Sequence, residues 1–123
     1  MKQKGNVFYL LLNTKANTFT RPFIRNIHKQ LDKVESYDGP TTLVTLSTSK
    51  LFSGGLDLKV LSNLEVEDQG YTTLEFIGLL GRISILPFPT ICLVKGGAVA
   101  GGCMFVFAHD LVYVAGKGKF STK

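Results

Sequence analysis

Apolar and polar positions alternate along this chain in a way that predicts strands and helices in turn. Residues 6–12 form an aromatic and aliphatic run that reads as a strand. Residues 13–20 are polar and loop-like. Thr20 then offers an N-cap, with Pro22 in the first turn of a helix. Phe23, Ile27, Leu31 and Val34 follow at spacings of four, four and three, which makes one helical stripe, and Arg25, Lys29, Gln30 and Lys33 lie largely off it. Gly39 and Pro40 are read as its stop. Residues 41–47 are rich in threonine, leucine and valine and predict a second strand. A short helix is expected from Asp57 to near Asn63, and the acidic stretch 65–70 reads as a mobile surface segment. Residues 71–86 predict a long apolar-rich helix ended by Pro87 and Pro89. The run from Thr90 reads as a buried strand, and the apolar run from Cys103 to Ala108, beyond a glycine cluster, as a buried helix. Residues 111–115 predict a last strand and 116–119 a turn. The order strand, helix, strand, helix, helix, strand, helix, strand implies a layered α/β fold with crossover connections.

The length of 123 residues is enough for one domain with a core of its own. Hydrophobic content of 45% against 19% charged residues excludes a disordered chain. The net charge of +5 comes from scattered lysines and arginines, which argues against a dedicated nucleic-acid surface and suits either a small anionic ligand or mere solubility. Cys92 and Cys103 lie in apolar runs, form no CxxC pair and read as reduced core residues. The amino terminus has neither secretory nor transit character. The most apolar window, 91–108, is interrupted by Lys95 and four glycines, so no membrane span is expected.

Two glycine clusters change the picture. Each sits between a predicted strand and a predicted helix: Phe52, Ser53, Gly54, Gly55, Leu56, Asp57 and Leu58 in one, and Lys95, Gly96, Gly97, Ala98, Val99, Ala100, Gly101 and Gly102 in the other. One such turn alone is better explained by close packing of strand on helix. Two in one small domain suggest a pair of backbone N–H donors aimed at one point, as the chemistry of a thioester enolate requires.

On these residues the chain resembles the enoyl-CoA hydratase/isomerase (crotonase) superfamily. Residues 52–59 resemble its first oxyanion-hole motif, residues 86–110 its second, and Asn17, Thr18, Phe19 and Thr20 its opening. The resemblance covers nearly the whole chain. It implies a spiral of ββα turns in a single domain, of which residues 1–123 would be the N-terminal portion, without the C-terminal helices that cover the acyl pocket and build trimers. It implies oxyanion donors at the backbone N–H groups of Leu56 and Gly101, with Ser53, Gly54, Gly55, Asp57 and Leu58 flanking an acyl-CoA thioester. No metal or redox cofactor is implied, since coenzyme A arrives as part of the substrate.

Met104 stands where hydratases of this family carry an acid. A methionine exchanges no proton, so water addition is disfavoured. With His109, Asp110 and the Leu86-Pro87-Phe88-Pro89 stretch, Met104 is most similar to the peroxisomal plant-type Δ3,Δ2-enoyl-CoA isomerase branch. That implies a 3-enoyl-CoA to 2-enoyl-CoA isomerase of fatty-acid β-oxidation, with a single carboxylate base expected just beyond Lys123 and a peroxisomal or otherwise cytoplasmic location. The alternatives are a hydratase or another crotonase-type enzyme, or a non-catalytic acyl-CoA-binding or assembly module. A nucleotide-binding module is disfavoured, since neither GxGxxG nor GxxxxGK[ST] occurs.

Other candidates have plainer readings. Asp57 reads as a cap, and His28 as solvated. His109 and Asp110 are adjacent and expected to point apart. Cys103 reads as a buried, inert thiol. Lys15, Arg21 and Lys59 could meet phosphates but read first as surface charge. Glu65, Glu67, Asp68 and Glu75 show no metal-ligand spacing. Lys95, where the family usually has a small polar residue, has no assigned role. The isolated chain is expected to self-associate.

Overall fold

A computed structural model describes residues 1–56 and 61–115, with the backbone of 120–121. A five-stranded sheet runs in the order β1 (Lys2–Lys4), β2 (Val7–Leu12), β3 (Thr42–Ser47), β4 (Thr90–Lys95) and β6 (Leu111–Ala115). β1 is antiparallel to β2, and every other neighbouring pair is parallel. Parallel neighbours need crossovers, and the helices α1 (Arg21–Glu35), α2 (Val66–Ser84) and α3 (Gly101–Phe107) lie within them.

A second, smaller layer stacks alongside. Thr18 bridges Gly55, Ser53 bridges Ala98, and β5 (Ala98–Val99) pairs with β7 (Phe120–Ser121), all in parallel. Each coil of the chain therefore gives one strand to the large sheet and one short extended piece to the small layer, and the first three then give a helix. This is the ββα spiral that the resemblance implies.

The core lies between the large sheet and the helices. Leu10, Thr45, Cys92 and Val112 stand side by side across four strands and face it, and the first three are fully buried. α1 adds Ile24, Ile27, Leu31 and Val34, and α2 adds Phe76, Leu79 and Ile83. Truncating a fully buried leucine such as Leu31 to alanine costs ~2–5 kcal/mol in comparable cores.

Several elements differ from the sequence reading. β1 carries only Lys-Gln-Lys and gives no apolar signal. The buried stripe of α1 begins at Ile24, while Phe23 is half-buried with its ring 5.6 Å from that of Phe19. α1 ends at Glu35 rather than at Gly39: the Ser36 hydroxyl donates to the Lys33 carbonyl, and the Ser36 amide to that of Asp32. The stretch 65–70 is not a loose segment, because α2 starts at Val66, with Glu67 and Asp68 in its first turn complementing the helix dipole. α2 also ends at Ser84, two residues early. α3 is not wholly buried: Met104 and Phe107 are 55% and 63% exposed. The start of the helix expected from Asp57 and the turn at 116–119 lie outside the described residues.

Candidate functional site

The two glycine turns belong to successive coils and touch. A Cβ on Gly55, whose φ is +76°, would stand 2.7 Å from the Val99 carbonyl oxygen and 2.8 Å from the Gly101 nitrogen. A Cβ on Gly101 would stand 3.3 Å from the Leu56 nitrogen, and one on Gly102 2.6 Å from the Ser53 carbonyl oxygen. At Gly96 a Cβ would overlap the Lys50 carbonyl oxygen. At Gly55, Gly96 and Gly102 only glycine permits these approaches, and at Gly101 a side chain would be tight. The close packing of the two turns thus also brings the Leu56 and Gly101 nitrogens near one another.

The direction of each amide follows from its peptide plane. In a trans peptide the C=O and N–H point opposite ways. The Gly55 carbonyl accepts from the Phe19 amide at 2.8 Å, in the first coil, which turns the Leu56 N–H away from that coil. The Ala100 carbonyl accepts from Met104 N at 3.1 Å, the first bond of α3, which leaves the Gly101 N–H pointing out of the helix start. Ala100 carries this reversal at φ +48°, a left-handed value unusual for a residue with a side chain.

Beside these amides lies an apolar cleft of about 630 Å³. Gly54, Leu56, Ala100 and Gly101 line one side, α2 gives Thr73, Phe76 and Ile77, and α3 gives Cys103, Met104 and Phe107. No described residue that lines it carries a charge. Its size falls in the range of small-molecule sites. The wall from α2 was missed in the sequence, although its spacing of three and four along an apolar-rich helix was the signal available.

Leu56, Gly54 and Gly101 are thus brought together, and Gly55 packs against the Gly101 amide. Ser53 is fully buried and faces away from solvent: its hydroxyl donates to the Asn17 carbonyl at 2.8 Å and accepts from the Gly55 amide at 3.1 Å. Asp57, Leu58 and Lys59 lie outside the described residues.

Elsewhere, His109 and Asp110 form no dyad. His109 is buried, with Nδ1 3.0 Å from the Phe105 carbonyl and Nε2 2.8 Å from the Thr45 hydroxyl. A carbonyl only accepts, so Nδ1 holds the proton and Nε2 accepts from Thr45. Burial pushes its pKa down. Asp110 and Thr90 instead exchange two bonds, each side chain accepting from the other's amide at 2.9 Å. His28 is half-buried rather than solvated, 2.9 Å from an Arg82 nitrogen, and burial first and then that guanidinium lower its pKa. Cys92 is buried, its thiol pushed up to about 12. Cys103 is only half-buried and faces the cleft, against the expectation of a buried thiol. Arg21 is paired with Glu75 at 3.0 Å, and Lys15 and Lys95 are exposed. Among the described residues no group of three or more His, Cys, Asp or Glu could hold a metal, and no helix is long and apolar enough to cross a membrane.

Comparison with known proteins agrees with this architecture. The model of the enoyl-CoA hydratase/isomerase family matches residues 2–123. Enoyl-CoA delta isomerase 3 of Arabidopsis thaliana is 27% identical over 119 residues, which is 93% of this chain and 50% of that protein. The mitochondrial enoyl-CoA hydratase domain-containing protein 3 of Danio rerio is 27% identical over 126 residues, 98% of this chain and 43% of that protein. The crystal structure of an enoyl-CoA hydratase/isomerase family protein from Silicibacter pomeroyi superposes with a TM-score of 0.85 at 28% identity, covering 94% of this chain and 49% of that one. The chain spans about half the length of the curated relatives it matches.

Proposed function

This chain belongs to the enoyl-CoA hydratase/isomerase family, and on that premise we propose that its cleft binds an acyl-CoA thioester and serves the isomerisation of a 3-enoyl-CoA to its 2-enoyl isomer. The observation that carries this reading is the abutment of the Gly55–Leu56 and Ala100–Gly101 peptides beside an apolar cleft whose described lining is uncharged. The thioester carbonyl oxygen accepts from the Leu56 and Gly101 N–H groups, with Gly54 and Gly55 flanking it. Each donor of such a hole is worth roughly 10²–10³ in rate. A carboxylate removes the α-proton, the enolate forms against the two amides, and the same carboxylate returns the proton at the γ-carbon. Met104, at the cleft and without a titratable group, supports isomerisation over water addition. We place the carboxylate just beyond Lys123, where the resemblance to the isomerase branch puts it; no acid lines the cleft among the described residues. The relatives' names differ, so the isomerase assignment, a peroxisomal address and a trimer of the whole protein are parts of this proposal.

The test mixes the protein with a 3-enoyl-CoA and follows the absorbance of the conjugated 2-enoyl thioester. A chain extended to the length of its relatives should turn over, and silence from it refutes the isomerase assignment. Turnover by residues 1–123 alone would put the base inside them. The lack of charge among the described lining residues favours one second reading, a module that binds acyl-CoA without acting on it. Calorimetry then shows saturable heat while the extended chain stays inactive.

A further inference from the structure

Ser53 occupies the middle of three coils. Its amide donates to the Gly97 carbonyl at 3.2 Å, and its carbonyl accepts from Val99 at 3.0 Å, both in the third coil. Its hydroxyl donates to the Asn17 carbonyl in the first coil and accepts from the Gly55 amide, one residue before Leu56. Asn17 is fully buried and spends its whole side chain on the same junction. Oδ1 accepts from the Thr14 amide and hydroxyl, both at 2.9 Å. Nδ2 donates to Ser47 Oγ and the Phe52 carbonyl, each at 2.9 Å, and to the Leu12 carbonyl at 3.3 Å. One carboxamide thereby ties the ends of β2 and β3 to the residue before Ser53.

The backbone of Asn17 matters as much. Its φ is +47°, a value asparagine tolerates better than most residues with a side chain. That reversal lets the Ala16 carbonyl accept from Gly54 at 2.9 Å, the Asn17 carbonyl from Ser53, and the Phe19 amide donate to Gly55. Three consecutive residues, 53 to 55, are held by one short segment, and the last bond fixes the plane that aims the Leu56 N–H.

Accepting the acyl-CoA reading above, on which this rests, we infer that Asn17 and Ser53 are positioning residues for the Leu56 oxyanion donor. Neither residue lines the cleft: Ser53, which the resemblance places beside the thioester, and Asn17 are both fully buried away from it. Both act by holding the Gly55–Leu56 peptide plane in place.

The experiment reads carbonyl polarisation separately from binding. Crotonyl-CoA labelled with ¹³C at its thioester carbonyl is bound to the full chain, its affinity is measured by calorimetry, and its C=O stretch by infrared difference spectroscopy. The wild type should lower the stretch relative to free ligand. Ser53→Ala removes only the hydroxyl link, and Asn17→Gly removes the carboxamide while still allowing a positive φ. Both should bind within about threefold of wild type and lose most of the stretch shift, since the donor is misaimed rather than the cleft lost. Asn17→Asp keeps the Oδ1 acceptor and deletes the Nδ2 donors, and should fall between Asn17→Gly and wild type. A full shift in either Ser53→Ala or Asn17→Gly, with affinity kept, overturns the inference and leaves the acyl-CoA reading standing. Absence of saturable binding by the wild type overturns that reading, and the inference with it. Should Asn17→Gly fail to fold, Ser53→Ala decides alone.

Discussion

Ala100 is the residue whose local conformation is least comfortable. A left-handed φ costs an L-residue with a Cβ roughly 1–2 kcal/mol, and glycine escapes most of that at an entropic cost of ~0.5–1 kcal/mol. Ala100→Gly should therefore raise the melting temperature modestly, by up to about 1 kcal/mol of stability, and keep acyl-CoA binding. Gly55→Ala should do the opposite, because its Cβ would meet two backbone atoms of the next coil. We expect a loss of about 2 kcal/mol or more in denaturant unfolding, and no saturable acyl-CoA binding. His109 gives the chain an acid limb. Its folded-state pKa lies below the ordinary 6.5, so the unfolded chain takes up a proton that the folded one refuses. The stability is whole above that value and falls as pH drops through it, until folded His109 itself protonates. Denaturant midpoints at about pH 7.5 and about pH 5 should show a smaller difference in His109→Asn than in wild type.

Among the elements, those with strong apolar periodicity were legible from sequence alone. β2, β3 and β4 fall within a residue or two of their expected ranges, and α1 starts where expected though it ends short of Gly39, because a face that must be buried leaves a pattern. β1 and β5 were not legible: three polar edge residues and two residues inside a glycine cluster leave none. The first turn of α2 was missed because Glu65 to Gly70 offers charge, polarity and a single exposed valine, Val66, and its helicity comes from continuity with the packed turns after it. In the site, the glycine turns announced themselves by composition. Their mutual contact, the positive φ of Asn17 and the α2 wall are tertiary facts with no local signature. Charge between α1 and α2 was likewise invisible. Arg82 near the end of α2 reaches Asp32 at 2.7 Å and Glu35 at 2.8 Å, and Glu75 takes Arg21 and Arg25, whose hydrogen bonds hold its carboxyl below the usual range against the effect of burial. Arg82→Ala should cost about 1 kcal/mol at low ionic strength and less in high salt, measured as a shift in denaturant midpoint.

On the scale of the whole molecule, the large sheet has a second face. Leu11, Leu46, Leu93 and Tyr113 stand side by side on it, turned away from α1 and α2, and exposure grows toward the β6 edge: Leu93 on β4 is 39% and Tyr113 on β6 58% exposed. β1 guards one sheet edge with lysines, whereas β6 ends the other with five uncharged residues. The 123-residue chain should therefore self-associate in sedimentation, and Leu93→Lys with Tyr113→Lys should shift it toward monomer. A monodisperse wild-type monomer would contradict this. The spiral has a further consequence for how such proteins diverge. The aim of the Leu56 amide is set by a main-chain bond to the first coil and that of the Gly101 amide by the first bond of α3, so most side chains that line the cleft are free to drift. Selection can rewrite the lining of the cleft, and with it the choice of acyl group, without dismantling the part that grips the oxygen.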